Sequence, residues 1–356
     1  MMRWSIVLLL TIGGLGACIG AAIANQPDQN GQDPNRLKQD PNLVRIQPSI
    51  DKNKTIPLDP KKVPAYFGDQ AFLHVQTLVA MGPRYFGQPG WSKQLTYIEQ
   101  QLKKAGIETK RDTWTDRREL ITFSNVTATI PGTSKKRIVL ACHHDTKCTT
   151  GHPNEANNFH FVGANDGASA VALLLELAPI LKQRANEATI DLVFFDGEES
   201  LDWDWNEAAR ALFGSKRYVK RHRDALLLGS EERIEAMVLL DMVGSKHLHI
   251  QEELYSTTLL RRLCWSAAVA TGNQKHFYQD HRAEAAADDH KPFLDVGIPA
   301  VDLIDLNSNK TWHTPHDTVE NMDPESIRKV ADVVLTMLPA IEQAYITKSR
   351  APKAPK

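Results

Sequence analysis

Phe194-Phe195-Asp196-Gly197-Glu198-Glu199 joins an apolar run, Ile190 to Phe195, to an acidic turn. A short apolar run that ends at turn residues is typical of a buried strand. Three further runs share this pattern: Arg137 to Cys142, Ala236 to Leu240 and Ile298 to Ile304. Between them lie helical patterns, the clearest at Ala168 to Leu181 and Pro324 to Tyr345. Alternating strands and helices predict a single α/β domain with a mostly parallel central sheet flanked by helices.

The residues that follow the predicted strands are unusually polar. They read Cys142-His143-His144-Asp145, Asp196-Gly197-Glu198-Glu199 and Asp241-Met242-Val243-Gly244. Open α/β sheets bind their ligands beyond the carboxyl ends of the strands. We therefore expect a functional site at this edge of the sheet.

Five residues supply the ligand types that suit zinc at a site with an open coordination position: His143, Asp166, Glu199, Asp241 and His313. A single histidine after a strand is more often a structural hydrogen-bonding group, and a single acidic pair is usually a solvated turn. The five residues together favour a metal site.

Glu198 is adjacent to Glu199 on the turn after a predicted strand. Adjacent side chains diverge on such a turn, so one carboxylate can bind a metal while the other faces the substrate. A nearby cation and nearby carboxylates shift the pKa of Glu198 in opposite directions. The pattern thus separates a metal ligand from a candidate general base.

Two further stretches contain candidate site residues. Asp288-Asp289-His290-Lys291-Pro292-Phe293 precedes the last predicted strand and, taken alone, indicates a polar loop with a helix cap. Trp312 stands next to the candidate ligand His313, where it can form an apolar wall or pack in the core. Trp203 and Trp205 lie in an acidic loop, where large aromatic side chains favour a role in recognition.

Composition excludes some partners. The 356 residues include 42 lysines and arginines against 43 aspartates and glutamates, so no net field attracts nucleic acid or an anionic membrane surface. A small molecule or a peptide is the expected partner, and we expect a monomer. The four cysteines form no CxxC pair, and Cys142 and Cys148 are either bridged or a buried thiol and a loop thiol.

The N-terminal region predicts export. Residues 1–24 have a positive charge followed by an apolar run from Ile6 to Ala24, which indicates a signal peptide or a membrane anchor. Lipid attachment at Cys18 is a third possibility, because Leu15-Gly16-Ala17-Cys18 is similar to a lipobox. Residues 25–63 are polar and predict a flexible linker. We expect residues 64–346 to form the catalytic domain and residues 347–356 a disordered tail.

The chain resembles the glutaminyl-peptide cyclotransferases, relatives of the zinc aminopeptidases of the M28 type. The similarity runs from about Ala71 to Ile341 and is carried by motifs in the family's order: Phe194-Phe195-Asp196-Gly197-Glu198-Glu199, Leu240-Asp241-Met242-Val243-Gly244, Asp288-Asp289-His290-Lys291-Pro292-Phe293 and Trp312-His313-Thr314. It implies a zinc-exopeptidase-like fold. It also implies that the substrates are the N-termini of peptides or proteins. It also implies one zinc ion.

The resemblance implies specific residue roles. Asp166, Glu199 and His313 would hold the zinc ion, and Glu198 would be the proton-shuttling acid and base. Asp241 and Asp288 would be supporting acids around Glu198 and the substrate amide. The substrate pocket would include Trp312, Trp203, Trp205 and Asp302.

The chain departs from the animal enzymes at two positions. Counted back from His313 without a gap, Asp302 replaces a histidine and Ser308 replaces a phenylalanine of the pocket. The network behind the pocket and the pocket wall must therefore differ.

Two other functions are weighed against cyclisation. A di-zinc aminopeptidase would place Asp166 between two metals about 3.5–4 Å apart, with His143 and Asp241 as ligands of the second metal and Glu198 activating a water. A binding ectodomain without catalysis would have lost ligands or the base, and here they are complete.

Overall fold

The computed structural model describes residues 55–278 and 285–347. The predicted export segment 1–24, Cys18, the linker up to residue 54 and the tail after Thr347 lie outside these residues. The segment Thr150–Phe159 is a separate small unit. It contains one 3-10 turn, Glu155–Asn157, in which Asn154 accepts a hydrogen bond from the Ala156 N–H at 3.0 Å.

A six-stranded sheet forms the centre of the domain, in the order β1-β2-β4-β3-β5-β8. Strands β3, β4, β5 and β8 run parallel, whereas β1 and β2 are antiparallel at one edge. A small parallel pair, β6 with β7, stands apart from it. The strands are β1 (Thr109–Thr115), β2 (Thr122–Ile130), β3 (Ser134–His143), β4 (Ala188–Phe195), β5 (Ile234–Asp241), β6 (Ile250–Gln251), β7 (Phe277–Tyr278) and β8 (Ala300–Ile304).

The four predicted strands correspond to β3, β4, β5 and β8, so the prediction of a mostly parallel α/β sheet is confirmed. The sequence analysis did not find β1 and β2. In β1 no residue is fully buried. As a solvated edge strand, β1 lacks the apolar run by which the buried strands were recognised. β2 lies between β1 and β4 and is mostly buried, but its sequence mixes threonine, serine and asparagine with the apolar residues.

Helices cover both faces of the sheet. One face packs against α1, α2, α3, α5 and α7, and the other packs against α4 and α6 through Val219 and Phe293. The helices are α1 (Phe67–Val79), α2 (Pro89–Lys104), α3 (Ala168–Gln183), α4 (Phe213–Leu227), α5 (Thr258–Thr271), α6 (Lys291–Asp295) and α7 (Pro324–Ile341).

Helices α3 and α7 confirm the two helical predictions. Most residues of α3 are apolar and buried, as expected for a helix inside a core. Asp323 caps α7 by accepting the Glu325 N–H at 3.0 Å, and a π-helical turn, Glu342–Thr347, continues it. The stretch Pro324–Thr347 is apolar and long enough to cross a membrane, but most of it is buried in the protein, as in a core helix.

The end of the predicted linker packs against the helices. The backbone N–H groups of Ile56, Lys61 and Val63 donate to Ser266 on α5 and to Thr336 and Asp332 on α7, at 3.0, 2.9 and 2.8 Å. The packed part of the chain therefore begins before Pro64. Backbone hydrogen bonds order this segment, and they leave no periodic pattern in the sequence.

Strand register brings the polar turns together. His143 pairs with Phe195, Ala141 with Leu239, and Asp241 with Ile304, so β3, β4, β5 and β8 end at one edge of the sheet. Cys142 is a buried thiol outside any disulfide among the described residues, so the alternative of a bridge between Cys142 and Cys148 is wrong.

The core prediction is tested on α3. Leu174 is fully buried, so we expect Leu174→Ala to lower the free energy of unfolding by about 2–5 kcal/mol through lost burial and the cavity left behind. Leu227 on α4 is 84% exposed, and Leu227→Ala should change stability by less than about 0.5 kcal/mol. Urea unfolding of both variants measures the difference, and equal stabilities would contradict the described packing.

Candidate active site

The turns after β4 and β5 and the loop that carries His313 contain left-handed backbone. Gly197, Met242 and His313 have φ values of 66°, 50° and 49°. Glycine adopts this conformation freely, whereas it costs energy for methionine and histidine. Gly197 has a second constraint, because a Cβ there would lie 2.6 Å from the Phe123 ring. At such sharp turns the chain reverses direction, which allows the side chains beside the turns to meet at this edge of the sheet.

A first group of ligand atoms is formed by His143, Asp166 and Asp241. His143 Nε2 lies 3.1 Å from Asp166 Oδ1 and 3.1 Å from Asp241 Oδ1. The three side chains are buried. One imidazole and two carboxylates are a ligand set that zinc accepts.

A second group is formed by Asp166, Glu199 and His313. His313 Nε2 lies 3.0 Å from Glu199 Oε1 and 3.4 Å from Asp166 Oδ2. Within each group the ligand atoms lie within 4.8 Å of one another. The two groups share Asp166, which turns one oxygen to each histidine.

The charges of this cluster fit a divalent cation. Burial alone would lower the pKa of His313, but Glu199 and Asp166 outweigh it and raise that pKa to about 9. Burial alone would raise the pKa of Asp166, yet hydrogen bonds from His143 and His313 hold it well below its usual value. Burial raises the pKa of Asp241 to about 7. Buried carboxylates need compensating positive charge, which here comes from protons or from a metal.

The two groups of candidate ligand atoms are together called the metal groups. Glu198 lies next to them without belonging to either. Its side chain lines the cavity described below. Burial, and then repulsion from Asp288, raises its pKa well above the value of an ordinary glutamate. Of the acidic pair, Glu199 thus belongs to a ligand group, whereas Glu198 lines the cavity outside both groups.

Asp145 fixes the orientation of this acidic pair. Its carboxylate accepts the backbone N–H of Glu198 at 3.2 Å and that of Glu199 at 3.3 Å. The sequence analysis placed Asp145 after a strand without giving it a role. The feature of the sequence that could have indicated this role is its position two residues after His143.

Asp317 fixes Asp166 in a similar way. Its carboxylate accepts the N–H groups of Asn165 and Asp166 at 2.8 and 3.0 Å, and burial raises its pKa to about 7. The fully buried Arg84 donates to the carbonyl of Gly163 at 2.8 Å in the same loop. Neither residue was predicted, since Arg84 is distant from every motif and Asp317 follows the more conspicuous Trp312-His313 pair.

A cavity of about 560 Å³ opens over the metal groups. Its wall combines acidic, aromatic and small apolar side chains: Asp166, Glu198, Glu199, Trp203, Asp204, Trp205, Asp241, Met242, Ala285, Ala286, Ala287, Asp288, Ile304, Leu306, Trp312 and His313. It therefore brings together most of the predicted site residues. Asp204 is an exposed acid of this wall that the sequence analysis did not single out.

Aromatic rings surround His313. The Trp312 ring stacks on it with centroids 4.3 Å apart, and the Trp203 ring lies 5.8 Å away. The buried Lys147 places its Nζ 5.8 Å from the centre of Trp203, 5.4 Å from the centre of Trp205 and 3.5 Å from Glu199 Oε2. Lys147 thus connects the tryptophan loop to the candidate metal ligand Glu199, a role that the sequence did not indicate.

One predicted pocket residue needs correction. Asp302 does not line the cavity, because β8 points it toward the buried layer that contains α6, and it is 1% exposed. Ser308 also lies outside the cavity wall and donates a hydrogen bond to Asp305, so no side chain at this position takes the place of the pocket phenylalanine. The Asp288-Asp289-His290 stretch is a buried polar turn directly before α6.

Asp317 provides a test of how the shared ligand is held. We expect Asp317→Ala to weaken divalent metal binding by about 10- to 100-fold, since the loop that carries Asp166 loses its anchor. Glu231→Ala is the control, because Glu231 is a 78% exposed partner of Lys135. Zinc titration against a competing chelator compares the two variants, and equal affinities would show that Asp317 does not position Asp166.

Comparison with known proteins agrees with this geometry. The model of Peptidase family M28 matches residues 125–338. A glutaminyl-peptide cyclotransferase-like protein of Mus musculus is 30% identical over 284 residues, 70% of each chain. The crystal structure of an Acidobacteriales bacterium glutaminyl cyclase is similar with a TM-score of 0.69 and 29% identity, over 82% of this chain and 99% of that one.

A leucine aminopeptidase precursor from Bacteroides thetaiotaomicron is similar as well, with a TM-score of 0.70 and 26% identity over 79% of this chain and 98% of that one. The match to the family model runs from within β2 to within α7 and includes the strand-end turns that carry the two ligand groups. The chain belongs to peptidase family M28 and, within it, to the glutaminyl-peptide cyclotransferase family.

Proposed function

We propose that this protein is a zinc-dependent glutaminyl-peptide cyclotransferase, which converts the N-terminal glutamine of peptides to pyroglutamate and releases ammonia. The observation that carries the proposal is the position of Glu198 and Asp288, two acids outside the metal groups, on the wall of one cavity. The names of the relatives support the same reaction.

The reaction requires proton transfer but no external nucleophile. The α-amine of the substrate attacks its own side-chain amide carbon, a C–N bond forms, and the bond to the amide nitrogen breaks. Glu198 takes a proton from the amine and returns it to the leaving nitrogen, which departs as ammonia. The nucleophile is already tethered to the reacting carbon, so no activated water is required.

The other wall residues bind and orient the substrate. Asp288 accepts a hydrogen bond from the side-chain amide, and Asp241 is a second supporting acid near Glu198 and the substrate amide. Trp312 and Trp203 enclose the apolar part of the glutamine side chain, because both rings border the cavity beside His313.

Asp166, Glu199 and His313 would hold the zinc ion, since they form one of the two ligand groups and all three line the cavity. When bound there, zinc supplies Lewis-acid polarisation of the amide carbonyl. His143 then pairs with Asp241 instead of binding a second metal.

A di-zinc aminopeptidase is the second candidate, favoured by the sharing of Asp166 between two complete ligand groups. In that enzyme Glu198 would deprotonate water, and the product would be a free N-terminal residue. Metal analysis separates the candidates: one tightly bound zinc fits the cyclotransferase, two fit the aminopeptidase and none fits a binding ectodomain.

We also propose that the enzyme is exported and acts as a monomer on peptide or protein N-termini. The N-terminal charge and apolar run support export, either with a cleaved signal, a membrane anchor or lipid attachment at Cys18. The cavity over the metal groups is of the size that a terminal residue can enter.

The activity is tested directly by mass spectrometry. The purified domain with zinc is incubated with a peptide that begins Gln-Xaa, and we expect the peptide to lose the mass of one ammonia molecule with its peptide bonds intact. A peptide that begins Asn-Xaa is the control. Release of free glutamine would instead establish the aminopeptidase.

The division of labour between the paired glutamates is tested by two variants. Glu198→Gln should retain zinc but lower kcat by about 100-fold or more, because the proton carrier is lost and the ligands are not. Glu199→Ala should release the metal. Metal analysis and kcat are measured on both, and loss of zinc from Glu198→Gln would show that the two roles are reversed.

A further inference from the structure

The mouth of the cavity carries a negative charge that the proposed reaction leaves unexplained. Of the described residues that line the cavity, those exposed to solvent are Asp204, Ala285, Ala287 and Trp312. Asp204 is the charged member of this exposed set. No lysine or arginine lines the cavity within residues 55–278 and 285–347. A molecule that enters the cavity therefore passes an acid whose charge no cationic side chain of the described wall offsets.

The loop that carries Asp204 is anchored on both sides of this residue. Before it, the Nζ of the buried Lys147 donates to the backbone carbonyl of Asp202 at 3.3 Å. After it, the backbone N–H groups of Asn206 and Glu207 donate to the Asp202 carboxylate at 2.9 and 3.0 Å. These hydrogen bonds hold the backbone of Asp204 at the mouth, while its own side chain is exposed. The carboxylate is thus presented from a fixed loop.

The proposed reaction places the N-terminal glutamine in the deep part of the cavity. Glu198 and Asp288 are 6% and 3% exposed, and the candidate ligand Glu199 is 5% exposed. A glutamine that reacts beside these buried groups leaves the following peptide residues along the exposed part of the wall. Asp204 lies on that part, so it faces the residues after the glutamine instead of the reacting atoms.

A cationic side chain complements this mouth, whereas an anionic side chain does not. The carboxylate of Asp204 can accept charge-assisted hydrogen bonds from an ammonium or guanidinium group. Trp312 is 39% exposed and offers apolar surface to the long methylene stem of a lysine or arginine. The small side chains of Ala285 and Ala287 leave room for that stem. An acidic side chain at the same place would be repelled by Asp204.

We propose that Asp204 is a specificity-determining residue, which selects peptides with a lysine or arginine directly after the N-terminal glutamine and disfavours peptides with an aspartate or glutamate there. The inference rests on the proposed function, because it assumes that the glutamine occupies the deep part of the cavity. Asp204 lies away from the reacting atoms, so it acts on substrate binding, and its effect appears in KM more than in kcat.

The test uses three peptides of equal length that begin Gln-Lys, Gln-Ala and Gln-Glu, with the zinc-loaded protein. We expect kcat/KM for the Gln-Lys peptide to exceed that for the Gln-Glu peptide by about 10-fold, since attraction and repulsion at an exposed site each contribute a few-fold. Asp204→Asn should lower this ratio to about twofold, and Asp204→Lys should reverse the preference. The same ratio in the native protein and in Asp204→Asn would overturn the proposal.

Glu207→Gln is the matched control, because it removes one negative charge from the same loop outside the cavity wall. Glu207 is paired with Arg118 at 3.0 Å. This variant should keep the native ratio between the two peptides. A loss of preference equal to that of Asp204→Asn would show that the total charge of the loop matters instead of a carboxylate at the mouth.

Salt tests the electrostatic origin of the preference. Raising the salt concentration from about 0.1 M to about 1 M shortens the Debye length from about 10 Å to about 3 Å. The native ratio should then fall toward that of Asp204→Asn. A ratio that does not change with salt would contradict a charge interaction.

The product from the Gln-Ala peptide keeps the two proposals apart. Pyroglutamate formation combined with equal rates for the Gln-Lys and Gln-Glu peptides would overturn the role of Asp204 and leave the proposed function standing. If the native protein releases glutamine instead, the proposed function fails. The rates of release from the Gln-Lys and Gln-Glu peptides then still decide whether Asp204 selects the second residue.

Discussion

The structure of the site depends on Asp166, whose two carboxylate oxygens face two different histidines. Oδ1 lies 3.1 Å from His143 and Oδ2 lies 3.4 Å from His313. One histidine ends β3 and the other lies in a loop after β8, so this contact connects distant parts of the chain. Because the carboxylate is buried, its charge must be balanced by those histidines or by a metal.

Several features follow from the need to hold Asp166 in place. Asp317 and Arg84 bind the loop that contains it, and Asp145 holds the acidic pair that supplies the ligand Glu199. These supporting side chains are themselves buried and hydrogen bonded. Candidate ligands held in this way are pre-organised for a metal, since they are oriented by side chains outside both ligand groups.

The cavity brings two acids in different environments next to the candidate ligand groups. Glu198 stands in front of the metal groups, where burial favours its protonated form, and Asp288 lies on the wall that continues into the buried acids near α6. Tryptophans complete the enclosure beside His313. The cavity thus presents two acids of different environment to the same bound molecule.

The sequence by itself determined the α/β fold, the buried strands β3, β4, β5 and β8, and the residue types of the metal groups, because apolar runs and the polar turns after them are local patterns. It did not reveal the antiparallel strands β1 and β2, the ordered end of the linker or the buried position of Asp302. Only the tertiary structure decided that Asp145, Lys147 and Asp317 support the site and that Asp166 is shared by two histidines. These features arise from contacts between residues far apart in the chain, and such contacts leave no periodic signal in the sequence.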